Sequence, residues 1–102
     1  MSKWYRRCIS FAEVRKMLEE DDESVLHCMQ IMYALAGCCD ELIQNGNEDW
    51  IFYDDFRDLK SEIHEAVEYM DEDDYESCEE TVNYYLSEMY DLCDSAKVWL
   101  GV

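Results

Sequence analysis

The stretch Tyr75–Trp99, YESCEETVNYYLSEMYDLCDSAKVW, decides the fold. Within it Tyr75, Cys78, Val82, Tyr85, Met89, Leu92, Ala96 and Trp99 recur at alternating intervals of three and four. That spacing keeps one face of a helix against a second helix lying nearly parallel or antiparallel to it. The chain has no proline, and its only glycines are Gly37, Gly46 and Gly101, so few turns and few elements are expected.

Just upstream, MDEDDYESCEE (Met70–Glu80) crowds seven carboxylates into eleven residues without a base. Met70 closes a third helix, Asp71–Asp74 make a turn, and the fourth helix starts at Tyr75. Carboxylates at a helix start interact favourably with its dipole, by about 0.3–1 kcal/mol each. The third helix is capped by Asn47 and has the seam Phe52, Phe56, Leu59, Ile63, Ala66 and Met70.

Further back, Asp22 or Ser24 caps a second helix over Val25–Gln44. Its apolar residues form two overlapping stripes: Val25, Cys28, Met32, Leu35, Cys39, Leu42 and Leu26, Met29, Tyr33, Ala36, Ile43. A helix apolar on both stripes is expected at the centre. QNGNED stops it, with Asn45 or Gly46 free to take the left-handed conformation that ends helices. SFAE (Ser10–Glu13) has the capping-box form and opens a first helix over Phe11–Glu20. The expected fold is all-α: a compact antiparallel helical bundle of three long helices plus a shorter N-terminal one. It forms a single acidic domain, residues 1–102, that begins with a basic arm at residues 1–9.

Hydrophobic residues make up 49% of the chain, enough for a core at 102 residues, so an apolar interior and an acidic exterior must be separated in space. Residues 1–16 carry Lys3, Arg6, Arg7, Arg15 and Lys16 against Glu13, a net +4. The other 25 of the 26 acids face only Arg57, Lys60 and Lys97, a net −22, which brings the chain to −18. A body of that sign repels nucleic acid and anionic membranes and attracts basic proteins. No segment approaches the roughly 18 uninterrupted apolar residues of a membrane span. No signal peptide is read in MSKWYRRCISFAEV, and the six cysteines lack any C-x-x-C spacing. Reduced, mostly buried thiols in a cytoplasmic protein are therefore expected.

Catalytic and metal chemistry find little to stand on. A dinuclear carboxylate site needs Glu-x-x-His, but Ser24 and Ser61 stand three before His27 and His64. Both histidines are accordingly read as surface or half-buried. Counting an EF-hand loop from Asp71 puts Tyr75, Glu76 and Val82 at positions five, six and twelve, where an oxygen ligand, glycine and glutamate are required. Cys28 beside His27 makes a poor catalytic pair, since adjacent helix residues point about 100° apart. The chain reads as a non-enzyme without cofactor or metal.

The acids on the helix flanks carry the sharper signal. Asp54, Asp58, Glu62, Glu65 and Glu68 follow one another at three or four on the third helix. Glu72, Glu76, Glu79 or Glu80, Glu88, Asp91 and Asp94 do much the same on the fourth. Like charges at that spacing cost about 0.2–0.5 kcal/mol per pair, and a face made only for solubility would intersperse lysines. A helix over Tyr75–Trp99 is about 37 Å long, and duplex DNA of that length carries about 22 phosphate charges at one per ~1.7 Å. The acidic body, −22 from residue 17 onward, matches that density.

In composition and architecture the body, residues 17–102, resembles the small phage-encoded DNA-mimic inhibitors of restriction and CRISPR enzymes, which are short, acidic, aromatic-rich and often helical. The resemblance implies a non-enzymatic inhibitor that occupies the nucleic-acid groove of a basic nucleic-acid-binding protein or nuclease. If the chain is phage-encoded, that would place it in the host cytoplasm. The residues expected at the interface are Asp54, Asp58, Glu62, Glu65, Glu72, Glu76, Glu80, Asp91 and Asp94, with Tyr53 and Tyr90. The alternative is a dedicated protein-binding module, such as an immunity protein or antitoxin covering a basic toxin site through aromatic anchors (Trp50, Tyr53, Tyr90). Homodimerisation through the aromatic flank is compatible with either.

Overall fold

The computed structural model describes residues 6–100; Lys3 and the rest of residues 1–5, read above as part of a basic arm, lie outside the described residues. The order is β1 (Arg6–Arg7), α1 (Phe11–Glu19), α2 (Val25–Asn45), α3 (Tyr53–Glu68), α4 (Tyr75–Ala96) and β2 (Val98–Trp99). The described chain is thus mostly helical, with four helices and one short strand pair.

Helix α2 is central, and α1, α3 and α4 all pack against it, whereas α3 and α4 meet one another more sparingly. The first of its two apolar stripes is buried from Cys28 to Leu42 and joined by Ile31, Ala36 and Cys38. The second is only partly used: Leu26 and Tyr33 stay exposed, and Tyr33 lies against His64 with ring centroids 6.2 Å apart. Three neighbours cover most of α2 but not its whole circumference.

Because α4 leans on α2 more than on α3, its buried face is rotated from the expected seam. Cys78, Val82, Leu86, Met89, Cys93 and Ala96 are buried, while Tyr75, Tyr85 and Leu92 are half-buried. The expected helix also runs too far. Lys97 adopts a left-handed conformation (φ 58°, ψ 45°), and its amide caps the carbonyls of Asp94 and Cys93. Val98–Trp99 then pairs in parallel with Arg6–Arg7. The left-handed residue costs about 1–2 kcal/mol, which burial of Val98 and Leu100, at about 1.5–3 kcal/mol each, offsets.

The segment read as a basic arm is therefore part of the fold from Arg6 onward. The Arg6 guanidinium sits 4.3 Å from the Trp50 ring centroid and donates to the Asn45 carbonyl at 3.1 Å, a cation at the negative end of α2. Arg7 covers Trp99 at 4.4 Å, and Cys8 is buried.

Several capping expectations are corrected. Ser10 has helical angles and no side-chain cap bond; its hydroxyl reaches Cys38 Sγ at 3.5 Å instead. The N-terminal amides of Ile9 and Ser10 are taken by Glu41 of α2, each at 2.9 Å. Asn47 accepts from the Asp49 amide and shapes a turn, so α3 starts later than its cap position implied, at Tyr53. Gly46 is extended (φ −88°, ψ 171°), and neither it nor Asn45 is left-handed. Ser24 caps α2 by accepting from the His27 amide at 3.1 Å, and Asp74 caps α4 by accepting from the Ser77 amide at 3.1 Å.

Glu41 has a consequence that can be measured. Burial pushes its carboxyl up, but hydrogen bonds from Ser10 and from the Ser10 and Ile9 amides outweigh that and hold it below the ordinary value. A depressed carboxyl contributes stability above its unfolded pKa of about 4.3, and that stability is lost as pH falls through the folded value. Glu41→Gln is expected to destabilise the protein at neutral pH, and its urea midpoint should converge with that of the wild type as pH falls through the folded value. A gap between the two that stayed constant across that range would exclude this role for Glu41.

Candidate functional site

Sparse contact between α3 and α4 leaves a groove along their junction. One stretch is lined by Asp55, Leu59 and Glu62 of α3 with Glu88, Asp91, Leu92 and Ser95 of α4. The other is lined by Ala66, Tyr69 and Met70 with Glu80, Thr81, Tyr84 and Tyr85 among others. The half-buried Tyr85 and Leu92 form part of its lining.

All nine carboxylates expected at an interface are exposed, but the fold sorts them. Glu62, Glu80 and Asp91 line the groove. Glu65 stands close enough, with Glu62 and Glu88, for its charge to act on the Tyr85 phenol. Asp54 and Asp58 hold the guanidinium of Arg57 at 3.2 and 4.0 Å, so part of their charge is compensated. Glu72 lies in the turn before α4, while Glu76 and Asp94 are exposed on α4 and line neither stretch of the groove.

The expected aromatics fall elsewhere. Tyr53 is half-buried at the start of α3. Tyr90 stands edge-on to Phe11, centroids 5.6 Å apart, in a depression shared with Arg15 and Trp99. Trp50 is half-buried, stacked on Phe56 at 5.4 Å and 16° and covered by Arg6. The groove brings in Asp55, outside the acidic row expected on α3, and Tyr85 of the expected α4 seam, together with Glu88 of the acidic row on α4 and Tyr69 and Tyr84, tyrosines off the apolar seams; none of them was among the residues expected at the interface. The spacing of four that links Glu80, Tyr84 and Glu88 would have found three groove residues on one edge of α4.

Electrostatically the groove is uniformly negative. Tyr84 is pushed up by its hydrogen bond to Glu88 and by that carboxylate's charge. Tyr85 is pushed up first by burial and then by Glu62, Glu65 and Glu88. Outside the groove, in a depression shared with α1 and α2, Tyr75 donates to Glu79 at 3.0 Å, and that bond raises it to about 12. No lysine or arginine occurs between Lys60 and Lys97. Lys60 pairs with Asp40 of α2 at 2.7 Å. Arg6 and Arg7 lie over their tryptophans, and Arg15 over Phe11 at 5.6 Å.

Other side chains with chemical potential have structural work. All six cysteines are free and buried, and burial raises Cys39 to about 12. His27 is buried rather than surface or half-buried. Its Nε2 lies 2.8 Å from the Met17 carbonyl; a carbonyl only accepts, so Nε2 carries the proton and ties α1 to α2. Among the described residues no helix is long and apolar enough to cross a membrane, and no group of three or more His, Cys, Asp or Glu side chains is arranged to hold a metal.

Compared with known proteins, the chain matches no family model, no curated protein and no solved structure.

Proposed function

We propose that the protein is a non-enzymatic inhibitor that binds a basic nucleic-acid-binding protein or nuclease and presents carboxylates where phosphates would lie. Its helices are read as an antiparallel bundle, three long and the first short, which sets α3 and α4 side by side as the acidic face. The observation that carries the proposal is the groove of Glu62, Glu80, Glu88 and Asp91, exposed and without a basic residue among its linings. Dimensions support it. The molecule is 46 Å long, so the net −22 of residues 17–102 amounts to roughly one charge per 2 Å, against about one per 1.7 Å in duplex DNA.

The test is capture on immobilised protein from a nuclease-treated bacterial lysate that contains restriction and CRISPR enzymes, followed by elution with duplex DNA. Nucleic-acid enzymes released by DNA are the expected result. A partner that stays bound through the DNA wash would overturn competition for a phosphate-binding groove. It would favour a dedicated module of the immunity-protein or antitoxin kind.

A further inference from the structure

Carboxylates alone do not distinguish lysine from arginine, yet the groove between α3 and α4 contains more than carboxylates. Tyr69 and Tyr84 are 79% and 57% exposed, while Phe11 and Phe56 are fully buried and Trp50 is covered by Arg6. Tyr84 meets Tyr85 edge to face, centroids 4.9 Å apart, and an aromatic ring face is electron-rich. Glu80 shares the lining with both tyrosines, and Glu88 and Glu62 act on the Tyr84 phenol by charge. The same stretch runs beside Ala66, Tyr69 and Met70, the C-terminal end of α3. Its last turn holds no basic residue, so the negative end of its dipole adds to the field there.

An apolar peptide in this groove would strip water from the carboxylates without replacing their hydrogen bonds. Nucleic acid and a second copy of this chain are repelled by charge. The occupant that satisfies both ring faces and carboxylates is a planar cation. Guanidinium stacks flat on an aromatic face and hydrogen-bonds a carboxylate through its edge, whereas a strongly hydrated ammonium fits a point contact.

We propose that the α3–α4 groove receives arginine side chains of the partner, stacked on Tyr84 and Tyr69 and held at their edges by Glu62, Glu80 and Glu88. This rests on the reading of the protein as a binder of basic proteins and names the chemistry it selects.

The experiment is calorimetric titration of the full chain with an arginine homopeptide and the lysine homopeptide of equal length, at matched ionic strength. The arginine peptide is expected to bind about 3–10-fold tighter. In a Tyr69→Leu/Tyr84→Leu variant the preference should vanish while both peptides still bind. Tyr84→Phe, which keeps the ring, should retain it. Both tyrosines are exposed, and a circular dichroism melt checks that the double variant is folded. Equal affinities in the wild type, or a preference that survives the double leucine change, would overturn the arginine assignment and leave phosphate mimicry standing. An arginine preference in a protein whose partner resists DNA elution would instead retain this groove chemistry and remove the mimicry.

Discussion

Triple reversal of the groove acids, Glu62→Lys, Glu80→Lys and Asp91→Lys, is expected to weaken partner binding by about 100-fold or more. Each reversal removes an attraction and introduces a repulsion, and one unit-charge contact at about 4 Å is worth about 1 kcal/mol even at water's dielectric constant. Three such changes exceed the roughly 2.7 kcal/mol of a 100-fold change in affinity. All three side chains are exposed, so fold stability should move little, and relief of like-charge crowding opposes any loss.

The informative control has the same net charge. Glu13→Lys, Glu19→Lys and Asp21→Lys, on α1 and the turn after it, also take the chain from −18 to −12. If the groove is the binding face, this control retains most of the affinity. Equal losses in the two triple variants would mean that overall charge steers the partner and no particular face receives it. Wild-type affinity should also fall with salt, though less steeply than that of DNA for the same partner, because carboxylates release no comparable condensed counterion layer.

Phe56→Ala is the second change with a large expected effect, here on stability. Phe56 is fully buried on the α3 face that meets the core, and it supports the stacked Trp50 ring. Removing a buried phenylalanine costs about 3–5 kcal/mol through lost transfer energy and the cavity left behind. For a domain whose total stability is about 5–15 kcal/mol, the variant should sit near the edge of unfolding. Urea titration followed by tryptophan emission and by far-ultraviolet circular dichroism measures it. Tryptophan emission should also shift in the folded variant, as Trp50 loses its stacking partner. A loss under about 1 kcal/mol would mean that the core around Phe56 closes up and that Trp50 does not depend on it.

Much of the molecule was legible from one-dimensional spacing. Apolar intervals of three and four placed three of the helices, the SFAE stretch marked the start of the first, and α4 was located to within a few residues. The near absence of glycine and proline limited the turns, and the clustering of acids away from the apolar positions put them in solvent. These features are local, because helix periodicity assigns each side chain to a face before any partner is known.

Tertiary structure decided what the faces meet. The expected capping box gave way because Glu41, distant in sequence but adjacent across α1 and α2, accepts from the Ser10 amide that Glu13 would have taken and from the Ile9 amide beside it, while the Glu13 amide bonds the Ser10 carbonyl. The last turn expected in α4 was exchanged for a strand because residues 6–8 bring a hydrogen-bonding edge to Val98–Trp99, which no window along the chain reveals. The acids were identified as a set but not sorted. Whether a carboxylate lies in the α3–α4 groove, beside Arg57 or on an outer face depends on how far each helix is rotated about α2. That rotation is set by which large side chains fit between the helices, a packing choice among non-local neighbours that spacing alone does not encode.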